Sequence, residues 1–512
     1  MAKLFENRTS GILLHPSSLT GPHGSGDLGP DSYRFVDFLE RAGQTWWQML
    51  PVSPIGAGNS PYDTPSSFAG NPLLISLELL VQDGLLEPRE LGAPRALVSA
   101  RRTLFGAARR FRGKRLRRAF ERFAGNQQLG WEFSQFRERN QHWLPGYALF
   151  SALKQKLGPS PWTSWEHDLS RARPEAMDQA RRGLDTEVRY AEFLQFVFDR
   201  QWQRLRGYAR DRRVRLLGDV PMYVAHDGAD VWTNQHVFQL DERGERRVLA
   251  GVPPDYFAAD GQLWGNPVYD WEALRSTGYA WWIARLRNTL DRFDAVRLDH
   301  FIGFSRCWEV AAGATTARDG QFRAVPGAEL FRAVERACGG LPFIAEDLGL
   351  ITDEVRALRD SFDLPGMRVL QFAFAGDFRE YQPHRYPRNC VVYTGTHDND
   401  TLRGWLDAPQ SEKDPEQRRA LEHERERALR YTGSDPAAPQ WGFVRSALAS
   451  VANTAIFPLQ DLLGVGNEAR MNVPGTAGGN WTYRCGAGDT SEELSLQMRQ
   501  LVDSFERLPD AR

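Results

Sequence analysis

The chain has 512 residues, of which 41% are apolar, 25% charged and 12% aromatic, and it is too long for one small core unless a large domain carries insertions. Lys plus Arg (64) nearly cancel Asp plus Glu (65), so the bulk charge points neither to a nucleic-acid binder nor to an anionic-membrane binder. Cys307, Cys338, Cys390 and Cys485 show no C-x-x-C spacing, which argues against a zinc site or a disulfide framework and fits a reducing compartment.

The start, MAKLFENRTSGILLH, has no apolar signal core, and no uncharged apolar run approaches the roughly 18 residues of a membrane span. A cytoplasmic protein is expected, with the glycosylation-like triplets at Asn7 and Asn480 unmodified.

In chain order, β-rich apolar runs that end in polar residues recur: GILLHP (11–16), TWWQMLPVS (45–53), VRLLGDVP (214–221), FDAVRLDH (293–300), PFIAEDL (342–348), MRVLQFAF (367–374), CVVYTGTHD (390–398) and TAIFPLQD (454–461). Helix-period stretches alternate with them, among them PDSYRFVDFLERAG and ELFRAVERACGG, a pattern that predicts βαβ units and a parallel sheet. Eight such runs predict a (β/α)8 barrel, an α/β fold whose active site lies at the C-terminal strand ends. Those ends carry His15, Asp219, Asp299, Glu346, Asp347, His397, Asp398 and Asp461. A single acid there is more often a cap for the next helix; a repeated pattern of them points to a shared acidic cleft.

The spacing predicts the start of the barrel over 1–75, a mainly helical insertion over 76–210, and the rest of the barrel over 211–512. A second insertion, at about 226–285 and rich in turn residues, is expected over the cleft.

Two motifs are set aside. GSGDLG (24–29) follows its apolar run only after a Pro/Ser/Gly-rich loop, whereas a dinucleotide fingerprint needs its glycines at the strand end. RRTLFGAARRFRGKRLRRAFERF (101–123) could bind a polyanion, but in a neutral chain a helix face paired with acids elsewhere is the expectation. H-E-x-x-H, G-x-S-x-G and P-loop patterns are missing.

In RLDH, Arg297 and Asp299 stand two apart on a strand and point to one side. An arginine there favours the ionised carboxylate, as a nucleophile requires, although a purely structural ion pair has the same pattern. In AEDLG, Glu346 and Asp347 point opposite ways, and the residues alone do not say which faces the cleft. THDND adds His397 and Asp398. Acids flanked by Arg, His and many aromatics (16 Trp in all) suit glycosidic-bond chemistry, which uses two carboxyl groups. A metal reading competes, but D-N-D-T lacks the glycine and the downstream glutamate of an EF-hand. GNSPYDTPSSFAGNP (58–72) and GVPPDYFAADGQLWGNP (251–267) combine rigid turns, aromatics and polar groups, as a sugar-binding rim would.

Taken together, these runs with SGILLHPSSLTGPHGSGDLG, SPYDTPSSFAGNPLLI, GDVPMYVAHDGADVW and ARMNVPGTAGGNWTYR resemble the 4-α-glucanotransferase (amylomaltase, disproportionating enzyme) family of the α-amylase clan, from near the N-terminus to the C-terminal tail. The resemblance implies Asp299 as nucleophile, Glu346 as acid/base and Asp398 as transition-state stabiliser. It implies glucan-binding roles for Tyr62, Asp219, Asp255, Tyr256, Phe257, Trp264, Arg297, His300, His397 and Asn472, with 255–264 in a loop arching over the cleft. The implied partners are α-1,4-glucans, namely maltose, maltooligosaccharides, amylose or glycogen chains, with no cofactor, metal, nucleic acid or membrane. Ile302, Cys307, Ala311 and Tyr483 depart from the residues common in the family and touch none of the three acids. An α-amylase-type hydrolase and a non-catalytic carbohydrate-binding protein are the alternatives.

Overall fold

The computed structural model describes residues 4–254, 260–349, 351–375 and 379–509. In chain order its strands are β1 (Thr9–Leu13), β2 (Trp46–Gln48), β3 (Arg215–Val220), β4 (Val248–Val252), β5 (Gln262–Pro267), β6 (Ala295–Leu298), β7 (Arg306–Ala311), β8 (Gln321–Ala324), β9 (Phe343–Ala345), β10 (Gly366–Val369), β11 (Cys390–Tyr393) and β12 (Thr454–Pro458). The strands β1-β12-β11-β10-β9-β6-β3-β2 close into a barrel in which every neighbouring pair runs parallel. Each of the eight apolar runs supplies one of its strands, so the (β/α)8 expectation holds.

These strands are almost wholly buried, as strands covered on both faces by side chains and helices must be. Close packing is visible where β1 meets β2. Gly11 is paired with Trp46, and a Cβ on Gly11 would stand 2.5 Å from the Trp46 Cβ, so the tryptophan owes its place to that glycine. The ring of Trp46 donates to Thr9 Oγ1 at 3.1 Å, and Trp47 donates to the Leu14 carbonyl at 2.8 Å.

The stretch between β2 and β3 is helical, and its longest element is the 27-residue helix Asp185–Asp211. That helix secures the loop after β2. Gln195 accepts from Gly70 N at 2.7 Å and donates to the Gly70 carbonyl at 3.0 Å; Gln201 does the same at Ser76. Each buried amide thus imitates a strand partner for one residue of the loop and leaves no backbone group there unsatisfied. Phe198 lies so close to Gly70 that a Cβ would meet its ring at 2.1 Å.

The basic run forms the helix Phe105–Phe123. Its Arg112 is buried on Asp27 at 2.7 Å, and Arg118 and Arg122 both bind Glu90. A second sheet, β5-β4-β7-β8, is antiparallel and joins the turn-rich stretch after β3 to residues 306–324. The sequence offered little sign of β7 and β8, because β8 is only four residues long, QFRA, and exposed along its whole length. Among the described residues no helix is long and apolar enough to cross a membrane.

At the N-terminal ends of the strands the C-terminal segment closes the barrel. The Arg507 side chain is fully buried and donates to the carbonyls of Leu448, Thr9, Asn453, Ser450 and Ala452 at 2.8 to 3.2 Å. It therefore bridges the start of β1 to the approach of β12, where the last strand must find the first. Arg507→Leu removes the donor these five buried carbonyls share, although Arg8 still donates to Leu448 and Ser450 and Thr9 N to Asn453. It should destabilise the protein by about 3 kcal/mol or more, seen as a lowered melting temperature in calorimetry.

Candidate active site

Two of the acids at the C-terminal strand ends, Asp219 and Asp299, converge on one guanidinium. Arg297, on β6, is buried and places Nη1 2.8 and 2.9 Å from the two Asp219 oxygens of β3 and 2.9 Å from Asp299 Oδ1. The cross-strand pairing of Asp219 with Arg297 sets the first contact. The two-residue repeat of the strand sets the second. Burial works against the cation, but the Asp219 and Asp299 carboxylates outweigh it and push the Arg297 pKa above its ordinary value. Asp219 is sealed in with its side chain 1% exposed, whereas the Asp299 side chain is 27% exposed. Of the two acids on this arginine, Asp299 is therefore the one a substrate can reach.

Glu346 follows β9 and accepts from the backbone N–H of His300 at 2.7 Å. Burial raises its pKa well above the usual carboxylate range; Arg297 pulls it back and the Asp299 charge raises it again. A carboxyl group in this setting keeps its proton to a higher pH than a free glutamate does, as suits a general acid. Its neighbour Asp347 points the other way, accepts from Met367 N at 2.7 Å, and is ion-paired with Arg359 and, at 3.6 Å, with Arg368. The tertiary structure thus separates two adjacent acids that the residues alone left equivalent.

His300 sits in the left-handed region (φ 51°), which turns the chain sharply after β6 and aims its N–H at Glu346. Burial lowers its pKa to about 4, so the ring is neutral. Trp264, on β5 and 38% exposed, meets that ring edge to face at 4.8 Å, with Tyr223 beside both. The loop of the second sheet is thereby brought to the acids. Asp255, Tyr256 and Phe257 lie outside the described residues.

On the opposite side, Tyr62 donates to Asp219 Oδ2 at 2.7 Å and stacks on His397 with ring centroids 5.0 Å apart. Its phenol is kept protonated, chiefly by burial and then by Asp219, with Asp299 and Asp398 adding to the effect. His397 Nε2 lies 3.3 Å from Asp398 Oδ2, and the other Asp398 oxygen accepts from Asn472 Nδ2 at 2.6 Å. The Asp398 side chain keeps 45% of its exposure. In the rest of that run Asn399 accepts from Thr396, Asp400 pairs with Arg470, and Thr401 caps the helix Leu402–Ser411 through Gly404 N.

Asp461 has the bland role foreseen for some strand-end acids: buried, it accepts from Leu402 N at 2.7 Å and from the Thr394 hydroxyl at 2.5 Å. Among the described residues, a His/Asp/Glu trio close enough to share an ion occurs at His23, Asp27 and Glu78, away from this cleft, with Arg112 already on Asp27.

Two residues of the site escaped sequence reasoning. Trp481 packs against Tyr62 at 5.7 Å and His397 at 5.9 Å, from a backbone with φ 64°. Arg470 donates to the Asp398 carbonyl at 2.6 Å. Both lie in ARMNVPGTAGGNWTYR, a segment with no periodicity to mark its inward residues.

Residues 14–488 match the profile of the glycoside hydrolase 77 family, described as 4-alpha-glucanotransferase. The chain is 45% identical to a 4-alpha-glucanotransferase of Synechocystis over 98% of this chain and 99% of that one. It is 42% identical to a 4-alpha-glucanotransferase of Thermus thermophilus, again over 98% of this chain and 99% of the relative. The amylomaltase of Streptococcus agalactiae, solved in complex with acarbose, superposes with a TM-score of 0.92 at 33% identity, over 98% of this chain and 100% of that one. With the barrel, the acids at its strand ends and a full-length match, the chain belongs to the 4-α-glucanotransferase family, the amylomaltases.

Proposed function

We propose that this chain transfers α-1,4-glucan segments between maltooligosaccharides by a retaining double displacement, with Asp299 as nucleophile, Glu346 as acid/base and Asp398 as stabiliser of the donor sugar. The observation that carries the reading is the contrast between two carboxyl groups on one cleft: Asp299 is held on Arg297 and open to a substrate, and Glu346 is half-buried with its pKa raised well above the usual carboxylate range. Two carboxyl groups in such different settings are what the two steps need.

In the first step Glu346 gives its proton to the leaving glycosidic oxygen while Asp299 attacks the anomeric carbon. The leaving glucan departs as the alcohol, and the donor is held as a glycosyl ester of Asp299. In the second step ionised Glu346 takes the proton of an incoming 4-hydroxyl, whose oxygen displaces Asp299 and restores both acids. Asp398, steadied by Asn472 and close to His397, hydrogen-bonds the donor hydroxyls as the ring flattens toward the oxocarbenium-like state. Trp264 and neutral His300 form an apolar edge beside the acids, which favours a sugar over water as the second reactant. Tyr62 and Asp219 support that cleft through Arg297 and His397, and glucan-binding roles for Asp255, Tyr256 and Phe257 rest on the family resemblance alone. Residues 76–210 and about 226–285 are read as insertions that build the walls of the groove around the barrel. The physiological glucans, whether maltooligosaccharides, amylose or glycogen chains, follow from the same site.

Incubation with maltotriose should yield glucose and maltooligosaccharides longer than the starting sugar on chromatography; net hydrolysis without lengthening would identify an α-amylase-type hydrolase instead. Asp299→Asn should lose activity by on the order of 10⁴-fold while its thermal melt stays near that of the parent, and near-normal turnover would rule out Asp299 as nucleophile.

The pH dependence follows from Glu346. Because its pKa is raised, the reactive protonated form persists to higher pH than in a free glutamate and is lost as pH climbs past that raised value. The kcat/KM for maltotriose should therefore fall on the alkaline side. In Glu346→Gln assayed with an α-maltosyl fluoride donor, whose fluoride leaves without a proton, that alkaline fall should disappear.

A further inference from the structure

We infer that Arg470 is the positioning residue for Asp398, and that the loop after the last barrel strand thereby sets the geometry of the catalytic loop after β11. The inference rests on the reading of Asp398 given above.

The three nitrogens of the Arg470 guanidinium have three different partners. Nε donates to the Asn472 carbonyl at 2.7 Å, Nη2 donates to the Asp398 carbonyl at 2.6 Å, and Nη1 is paired with the Asp400 carboxylate. Asn472 in turn donates from its side chain to Asp398 Oδ1 at 2.6 Å and from its backbone N–H to the His397 carbonyl at 3.0 Å. Asp398 is thus gripped at its main chain by Arg470 and at its carboxylate by the residue that Arg470 also holds.

The ends of the same loop are secured separately. Asp461 accepts from the Thr394 hydroxyl and from Leu402 N, and Asn467 accepts from Thr401 N at 3.1 Å. These anchors hold residues 394 and 401–402, and Gln371 donates to the Asp400 carbonyl at 3.0 Å; at Asp398 itself, half exposed, the grip from outside the loop is that of Arg470 and Asn472. A carboxylate that exposed would otherwise sample several rotamers, and a misplacement of about 1 Å at a reacting group costs on the order of 10²-fold in rate.

The Arg470 charge is neutralised by Asp400, so the guanidinium acts through direction and reach rather than through its field on Asp398. The planar fork spreads its donors over three nitrogens in a fixed geometry and so reaches three separated acceptors; lysine gathers its three donors on one nitrogen.

The test is a kinetic cycle on the full-length chain, with maltotriose and α-maltosyl fluoride as donors. Arg470→Gln should lower kcat about 10²-fold and leave KM within about threefold, because Asp398 acts more on the flattened sugar than on the ground state. Arg470→Lys keeps a cation beside Asp400, guards against misfolding, and should lower kcat about tenfold.

The decisive readout is non-additivity. In an Asp398→Asn background the same substitutions at Arg470 should cost less than about twofold further, since a residue that acts through Asp398 has nothing left to position. An unchanged kcat in Arg470→Gln, or a further loss in the Asp398→Asn background as large as in the parent, overturns the inference. A parental kcat in Asp398→Asn alone overturns the reading of Asp398 and this inference with it, so the two failures are distinguishable.

Discussion

The site depends on one buried cation. Arg297 is desolvated inside the barrel, which is costly unless its charge is matched. It is matched on one side by Asp219 from the neighbouring strand and on the other by Asp299 from its own. Removing either acid leaves an uncompensated charge in the barrel mouth, and removing the arginine sets two carboxylates against each other. The same guanidinium counteracts the rise of the Glu346 pKa, while Asp299 adds to it. The ion pair on Asp299 and the raised pKa of Glu346 are therefore tied to a single arrangement of charges around one β-strand.

Around that arrangement the molecule is organised by loops that hold one another. The loop after β2, which brings Tyr62, is tied by Gln195 and Gln201 to the long helix of the insertion. The loop after β11, which brings His397 and Asp398, is tied at its ends by Asp461 and Asn467 and at its centre by Arg470 and Asn472. Trp481 wedges the two together through Tyr62 and His397. Strand ends of a barrel supply directions for catalytic groups, but a group set several residues beyond its strand, as Asp398 is, needs such bracing to keep its place. The ionic and amide contacts in these loops account for polar residues that a periodic reading of the sequence passes over.

Much of the barrel was legible beforehand because strands buried on both faces read as uninterrupted apolar runs, and all eight runs became barrel strands. The antiparallel sheet was not, since β8 is exposed throughout and β4 carries a register shift against β5. Of the strand-end acids, Asp219, Asp299, Glu346 and Asp398 gather in the cleft, whereas Asp461 satisfies a helix N-terminus and a threonine, as caps do. A linear pattern does not separate those two fates, because both place an acid just past a strand.

The sequence by itself determined the fold class, the family and the spacing of Arg297 with Asp299, for these follow from local periodicity and from long ordered motifs. Only the tertiary structure decided which of Glu346 and Asp347 faces the cleft. It also decided that Arg297 spans two carboxylates, and that Arg470 and Trp481 belong to the site. Each of those outcomes depends on side chains brought together from strands and loops far apart in the chain. Burial, which raises the Glu346 pKa and works against the Arg297 cation, exists only once those elements have packed.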